Sequence, residues 1–110
     1  SAICHVKGGS TPQIGHACAM ALKSLMGLVC DPVGGLVEVP CVKRNVGGAF
    51  NAIAAADMAL AGIESQIPVD QVIDAMKEVG DKMDVSLRET GIGGVAGSLR
   101  AAEVVARMNM

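Results

Sequence analysis

Residues 46–63 form a nearly unbroken apolar run whose body is alanine, with Ala52, Ala54, Ala55, Ala56, Ala59 and Ala61 interrupted only by Asn51 and Asp57 among polar residues. Alanine is the strongest helix former, and the run is far too long for a strand. A helix with no polar face is normally central to its fold. This one therefore calls for neighbours on every side. Phe50 is the single aromatic residue of the chain, so Ala, Val, Ile, Leu and Met must fill any core. Small side chains of that kind favour closely packed helices. Gly47-Gly48 near the start of the run cost about 1 kcal/mol each relative to alanine, which predicts that a neighbouring helix or a ligand approaches the backbone there.

Other helices follow from punctuation and spacing. Ser10-Thr11-Pro12-Gln13 is a start signal: a hydroxyl cap, a first-turn proline, and Gln13 three residues after Ser10 as in a capping box. From there Ile14, Ala17, Cys18, Ala21, Leu22, Leu25 and Val29 keep helical spacing, with an end near 27–30 that puts Cys30 at or just past the C-terminus. The alanine-rich helix is expected to begin within 40–45 and to close at Gly62. A third begins at Pro68, with Val69, Val72, Ile73 and Met76 as its stripe and Gly80 as its end, its wet face carrying Asp70, Asp74 and Glu78. A last helix covers Leu99–Met108. Leu36-Val37-Glu38-Val39 hints at a short extended piece, and no segment alternates convincingly. The expected fold class is all-α: a small bundle of about four helices with a Gly/Pro-rich cysteine loop between the first two. Three short amphipathic helices barely enclose the alanine-rich one. The chain is therefore read as part of a longer one, or as docking on a partner or on a copy of itself.

At 110 residues the chain is one small domain or a piece of a larger one. Its net charge is −2 with both signs interspersed, which leaves no basic stripe for nucleic acid. The apolar run reads as a buried helix and not as a membrane span, because Asn51 and Asp57 break it. Residues 1–5 show neither a charged n-region nor an apolar h-region. The cytoplasm is the expected compartment, where cysteines are more often ligands or core residues than disulfides.

The chemistry concentrates in Cys30-Asp31-Pro32-Val33-Gly34-Gly35-Leu36-Val37-Glu38-Val39-Pro40-Cys41, followed by Lys43-Arg44-Asn45. Two thiols at the ends of a turn-rich loop suit iron–sulfur ligation. Zinc normally wants four ligands in short-spaced pairs, which an isolated C-x10-C does not provide. From spacing alone, two small buried hydrophobes is the commoner meaning of such a pair. Cys4, His5, His16 and Cys18 read as a core cysteine and a surface histidine more readily than as a mixed zinc site, since positions two apart on a helix face apart. Gly91-x-Gly93-Gly94-x-x-Gly97 misses the dinucleotide pattern and no strand precedes it, so a turn of close helix packing is expected. Arg44, Asn45 and Arg88 are the groups best placed by sequence to grip a carboxylate.

That loop with its downstream Arg44-Asn45 strongly resembles the cysteine loop of the iron–sulfur-dependent L-serine dehydratases, or L-serine ammonia-lyases, in their catalytic α portion. The likeness continues through Asn51-Ala52, Asp57-Met58-Ala59-Leu60-Ala61-Gly62-Ile63, Ile67-Pro68-Val69-Asp70-Gln71-Val72-Ile73-Asp74-Ala75-Met76 and Leu87-Arg88-Glu89-Thr90-Gly91-Ile92-Gly93-Gly94. It covers about 8–94, and the resemblance implies that residues 1–110 are the C-terminal part of the α portion. It further implies a [4Fe–4S] cluster with Cys30 and Cys41 as two ligands and a third cysteine outside this chain, since Cys4 and Cys18 stand where the family pattern places none. Arg44 and Asn45 become candidate substrate contacts. The implied reaction is α,β-elimination of water from L-serine, giving pyruvate and ammonia, with iron as the Lewis acid. The implied partners are the remainder of the α portion, a β domain or subunit, and further copies of the enzyme. Residues after Gly94 depart from the usual tail and include no cysteine, and the chain alone is not expected to turn over serine. Two other classes stay open: a cluster-free helical assembly piece of that enzyme, and a pyridoxal-phosphate dehydratase, disfavoured because no lysine sits beside a phosphate loop.

Overall fold

The computed structural model describes residues 1–110 and is all-α, with five α-helices and no strand. They are α1 (Ala2–Val6), α2 (Thr11–Leu25), α3 (Cys41–Leu60), α4 (Val69–Lys82) and α5 (Leu99–Met108), joined in part by 3-10 turns at Val33–Gly35, Val85–Leu87 and Gly94–Gly97. The chain falls into two compact units. One comprises Ser1–Gly27 with Gly47–Asp81, the other Leu28–Val46 with Lys82–Met110.

In the first unit the capping box forms as the sequence predicts. Gln13 N–H donates to Ser10 Oγ at 3.3 Å, and Ser10 N–H donates to Gln13 Oε1 at 2.9 Å. Two donors that a helix start leaves open are thereby satisfied. The core is built from small groups: Cys4, Ala17, Met20, Ala55, Ala56 and Ala59, flanked by Ile3, Ile14, Ala21 and Leu60. Asn51, one of the two polar interruptions of the apolar run, donates from Nδ2 to the Ala21 carbonyl at 2.9 Å and ties α3 to α2. Ser65 fastens the connection between α3 and α4. Its N–H donates to His16 Nδ1 at 3.2 Å, and its hydroxyl accepts from Lys23 Nζ and donates to the Ile67 carbonyl.

Four expectations are corrected. Helix α3 is not enclosed on every side: Ala55, Ala56 and Ala59 are buried, whereas Phe50 is 69% exposed and Ile53 is also exposed. Nothing lies within 4 Å of where a Cβ would sit at Gly47 or Gly48, so no helix of this chain makes use of them. Gly47→Ala and Gly48→Ala are each expected to raise the stability of the chain by about 1 kcal/mol in a denaturant titration. Helix α4 runs through Gly80 to Lys82, held across that glycine by a Lys77–Asp81 ion pair at 2.6 Å. Leu36 alone is extended and Val37-Glu38-Val39 forms a turn, and the β-type pairing lies elsewhere, as a single parallel bridge between Cys30 and Arg88.

Candidate functional site

The second unit contains the whole cysteine loop. Helix α2 ends at Leu25, sooner than its apolar spacing suggests, because Met26 is extended and Gly27 takes φ +82°. Cys30 is consequently not a helix-end residue. Both of its backbone groups are engaged: its N–H donates to the Leu87 carbonyl at 2.9 Å, and its carbonyl accepts from Glu89 N–H at 2.8 Å. Arg88 is thereby set directly beside it. Glu89 is the one non-glycine residue with positive φ, at +62°. Its backbone is held in a disfavoured region by the same hydrogen bond that fixes Cys30. Cys41 is the first residue of α3, and the loop between the two is closed by Val33 N–H donating to the Val39 carbonyl at 2.9 Å. All four cysteines are free thiols, with Cys30 exposed, Cys18 and Cys41 half-buried and Cys4 buried in the core of the first unit.

Asp31 carries no role in the sequence beyond its place in the loop. In the structure it is the electrostatic centre of the site, only 1% exposed. Its Oδ1 accepts from Arg44 Nη1, and its Oδ2 accepts from Val95 N–H at 2.7 Å. The same Nη1 donates to the Val29 carbonyl at 2.8 Å. Burial pushes the Asp31 carboxyl up, but the Val95 amide and the Arg44 guanidinium together outweigh it and hold the group below the ordinary carboxylate range. The signal that could have found this role is an aspartate beside Cys30 with an arginine one turn past Cys41.

Of the predicted site residues, the structure brings Cys30, Cys41, Arg44 and Asn45 into one unit. Arg44 engages protein groups on both sides of Cys30, and Asn45 is exposed. The glycine-rich stretch is a close-approach turn as expected, and it packs on the cysteine loop. A Cβ at Gly91 would stand 3.1 Å from Gly35 N, and one at Gly94, whose φ is +60°, would fall on the Asp31 carboxylate. Helix α5 packs on the outer side of the loop: a Cβ at Gly34 would come 3.3 Å from Val105 Cγ2. His16, expected at the surface, is half-buried and accepts the Ser65 N–H.

Two thiols are a partial donor set for a metal cluster, and no third His, Cys, Asp or Glu joins them in a metal-holding group within these residues. By themselves the two thiols do not make a complete cluster site. No helix is long and apolar enough to cross a membrane.

A family model described as serine dehydratase alpha chain matches residues 1–96. The chain is 58% identical over 104 residues to a probable L-serine dehydratase alpha chain of Bacillus subtilis, covering 94% of this chain and 35% of that protein. It is 62% identical over 89 residues to the corresponding protein of Latilactobacillus sakei, covering 81% of this chain and 43% of that one. An L-serine dehydratase alpha chain of Peptoniphilus asaccharolyticus is 50% identical over 98 residues, covering 89% of this chain and 34% of that protein. The chain thus spans between a third and a half of the length of these relatives. With its all-α fold and its cysteine loop intact, the chain belongs to the serine dehydratase alpha chain family.

Proposed function

We propose that residues 1–110 are the C-terminal part of the catalytic α portion of an L-serine ammonia-lyase, which removes water from L-serine to give pyruvate and ammonia. The observation that carries this reading is the pair Cys30 and Cys41, free thiols at the two ends of one pinned loop in a chain of this family. They supply two ligands of a [4Fe–4S] cluster, and the third comes from outside these residues. Such a cluster, when bound, supplies Lewis acidity toward the substrate hydroxyl.

The work of this chain is to hold the thiols and orient the substrate. Asn45 on the first turn of α3 and Arg88 beside Cys30 are exposed polar groups that meet the serine carboxylate. Arg44 has one nitrogen already committed to Asp31 and the Val29 carbonyl, which leaves the substrate carboxylate to its neighbours. The remaining partners are the rest of the α portion, a β subunit or domain, and further copies. The relatives' names, which specify an alpha chain, support another subunit or domain beside it. Four free thiols suit the reducing cytoplasm.

The test is a graft of this sequence in place of the matching 104 residues of the Bacillus subtilis relative, assayed anaerobically for serine-dependent pyruvate. Activity is expected to survive the graft and to be lost in Cys30→Ser and in Cys41→Ser. Full activity in either variant contradicts the reading. A second reading, a cluster-free helical assembly piece, has the exposed Phe50 and Ile53 of α3 in its favour. It predicts that the chain self-associates and that both serine variants leave the graft as active as it was.

A further inference from the structure

We propose that Arg44 and Asp31 are positioning residues that set the two loop thiols at a fixed separation, so that Arg44 acts on the metal through Cys30 and Cys41 and not by touching substrate. The inference rests on the ligand reading of those cysteines. Its basis is a pattern of hydrogen bonds that brackets Cys30. Arg44 lies on the first turn of α3, which begins with Cys41. Its Nη1 donates to the carbonyl of Val29 and to the carboxylate of Asp31, the residues immediately before and after Cys30. A single nitrogen therefore ties the turn that carries one thiol to the main-chain carbonyl before the other and to the side-chain carboxylate after it.

The tie is itself anchored. Asp31 is 1% exposed, and its second oxygen is held by Val95 N–H at 2.7 Å. Gly94 has no side chain to displace the carboxylate, and no buried side-chain nitrogen or oxygen is left without a partner. The Cys30 peptide is clamped independently by Leu87 and Glu89. The backbone of Cys30 cannot shift without breaking this set. Paired ligation needs such rigidity, because a ligand shell left loose loses metal affinity by roughly 10–100-fold. Surface ion pairs are the ordinary fate of an arginine. This one differs because its carboxylate partner is buried and its second acceptor is a main-chain carbonyl. Lysine is a poor replacement, since its nitrogen stands one bond short of the place where Nη1 meets both acceptors.

The test uses cadmium ion as the probe and the 110-residue chain, reduced and anaerobic, with ultraviolet thiolate-to-cadmium absorbance as the readout. Wild type is expected to bind cadmium with the absorbance of two thiolates, and Cys30→Ser and Cys41→Ser to lose about half of that absorbance. Arg44→Lys and Arg44→Met are expected to weaken binding about tenfold or more and to lower the absorbance per bound cadmium, with helical circular dichroism unchanged. A residue that merely stabilised the unit would leave two thiolates per cadmium. If Arg44→Met unfolds the unit, Arg44→Lys and Asp31→Asn decide. Wild-type affinity and absorbance in the folded variants overturn the positioning role while leaving the ligand reading intact. Wild-type absorbance that survives both serine substitutions overturns the ligand reading and the positioning role with it.

Discussion

Asp31→Ala is expected to destabilise the unit formed by Leu28–Val46 and Lys82–Met110 by about 2–3 kcal/mol, through the groups it leaves behind. Removing the carboxylate strands the Val95 N–H and one Arg44 hydrogen that have no other acceptor. Breaking one side of a fully buried ion pair costs about 3–5 kcal/mol. The Arg44 side chain is 37% exposed, however, so water can replace part of what it loses, and the lower figure applies. In thermal unfolding this is roughly a 10 °C fall for the transition of that unit. Asp31→Asn, which keeps the shape and loses the charge, is expected to cost about 1 kcal/mol. An Asp31→Ala protein that melts with wild type would show that the buried carboxylate contributes nothing.

The same carboxylate sets an acid limb. Its folded value lies below the ordinary one, so its contribution is fully present above an unfolded value of about 3.9 and is lost as pH falls through the lower folded value. Wild type should therefore keep this increment at pH 5, and Asp31→Ala should lack it there as at pH 7.

Ala56→Leu is expected to cost the other unit about 2–3 kcal/mol, by the opposite mechanism. Ala56 is completely buried within a cluster of Cys4, Ala17, Met20, Ala55 and Ala59. With one aromatic residue in the chain, closeness of backbones and not bulk of side chains fills that core. Three added carbons must push α3 away from its neighbours. Ala54→Leu on the exposed side of the same helix is expected to change stability by less than about 0.5 kcal/mol. Equal effects at the two positions would mean that α3 has no preferred buried face.

How much of this was readable in advance depended on how local the physics was. The capping box at Ser10 and the C-terminal stop at Gly62 are written in neighbouring residues, and both held, with Gly62 at φ +92°. The start of α3 at Cys41 and the whole of α5 were equally legible. Helix α1 went unseen because five residues carry too little periodicity to register. Gly80 has the look of a stop, but one glycine in a helix costs only about 1 kcal/mol, and α4 continues through it. Residues 46–63 carry no information about which of their faces is covered, so the exposure of Phe50 could not be anticipated. At the site, the cysteines and Arg44 are marked by the family resemblance of their loop and only weakly by spacing. Asp31 did not, because its partners Arg44 and Val95 lie 13 and 64 residues away in sequence.

Cys30 and Cys41 act together on one metal in the proposed site. The most direct measurement is alkylation of the reduced chain, read residue by residue by mass spectrometry as cadmium is added. Cys30 and Cys41 are both expected to label freely without metal and to become protected together, at the same cadmium concentration, while Cys18 labels as before. Protection of only one of the two, or of each at its own concentration, would contradict the claim.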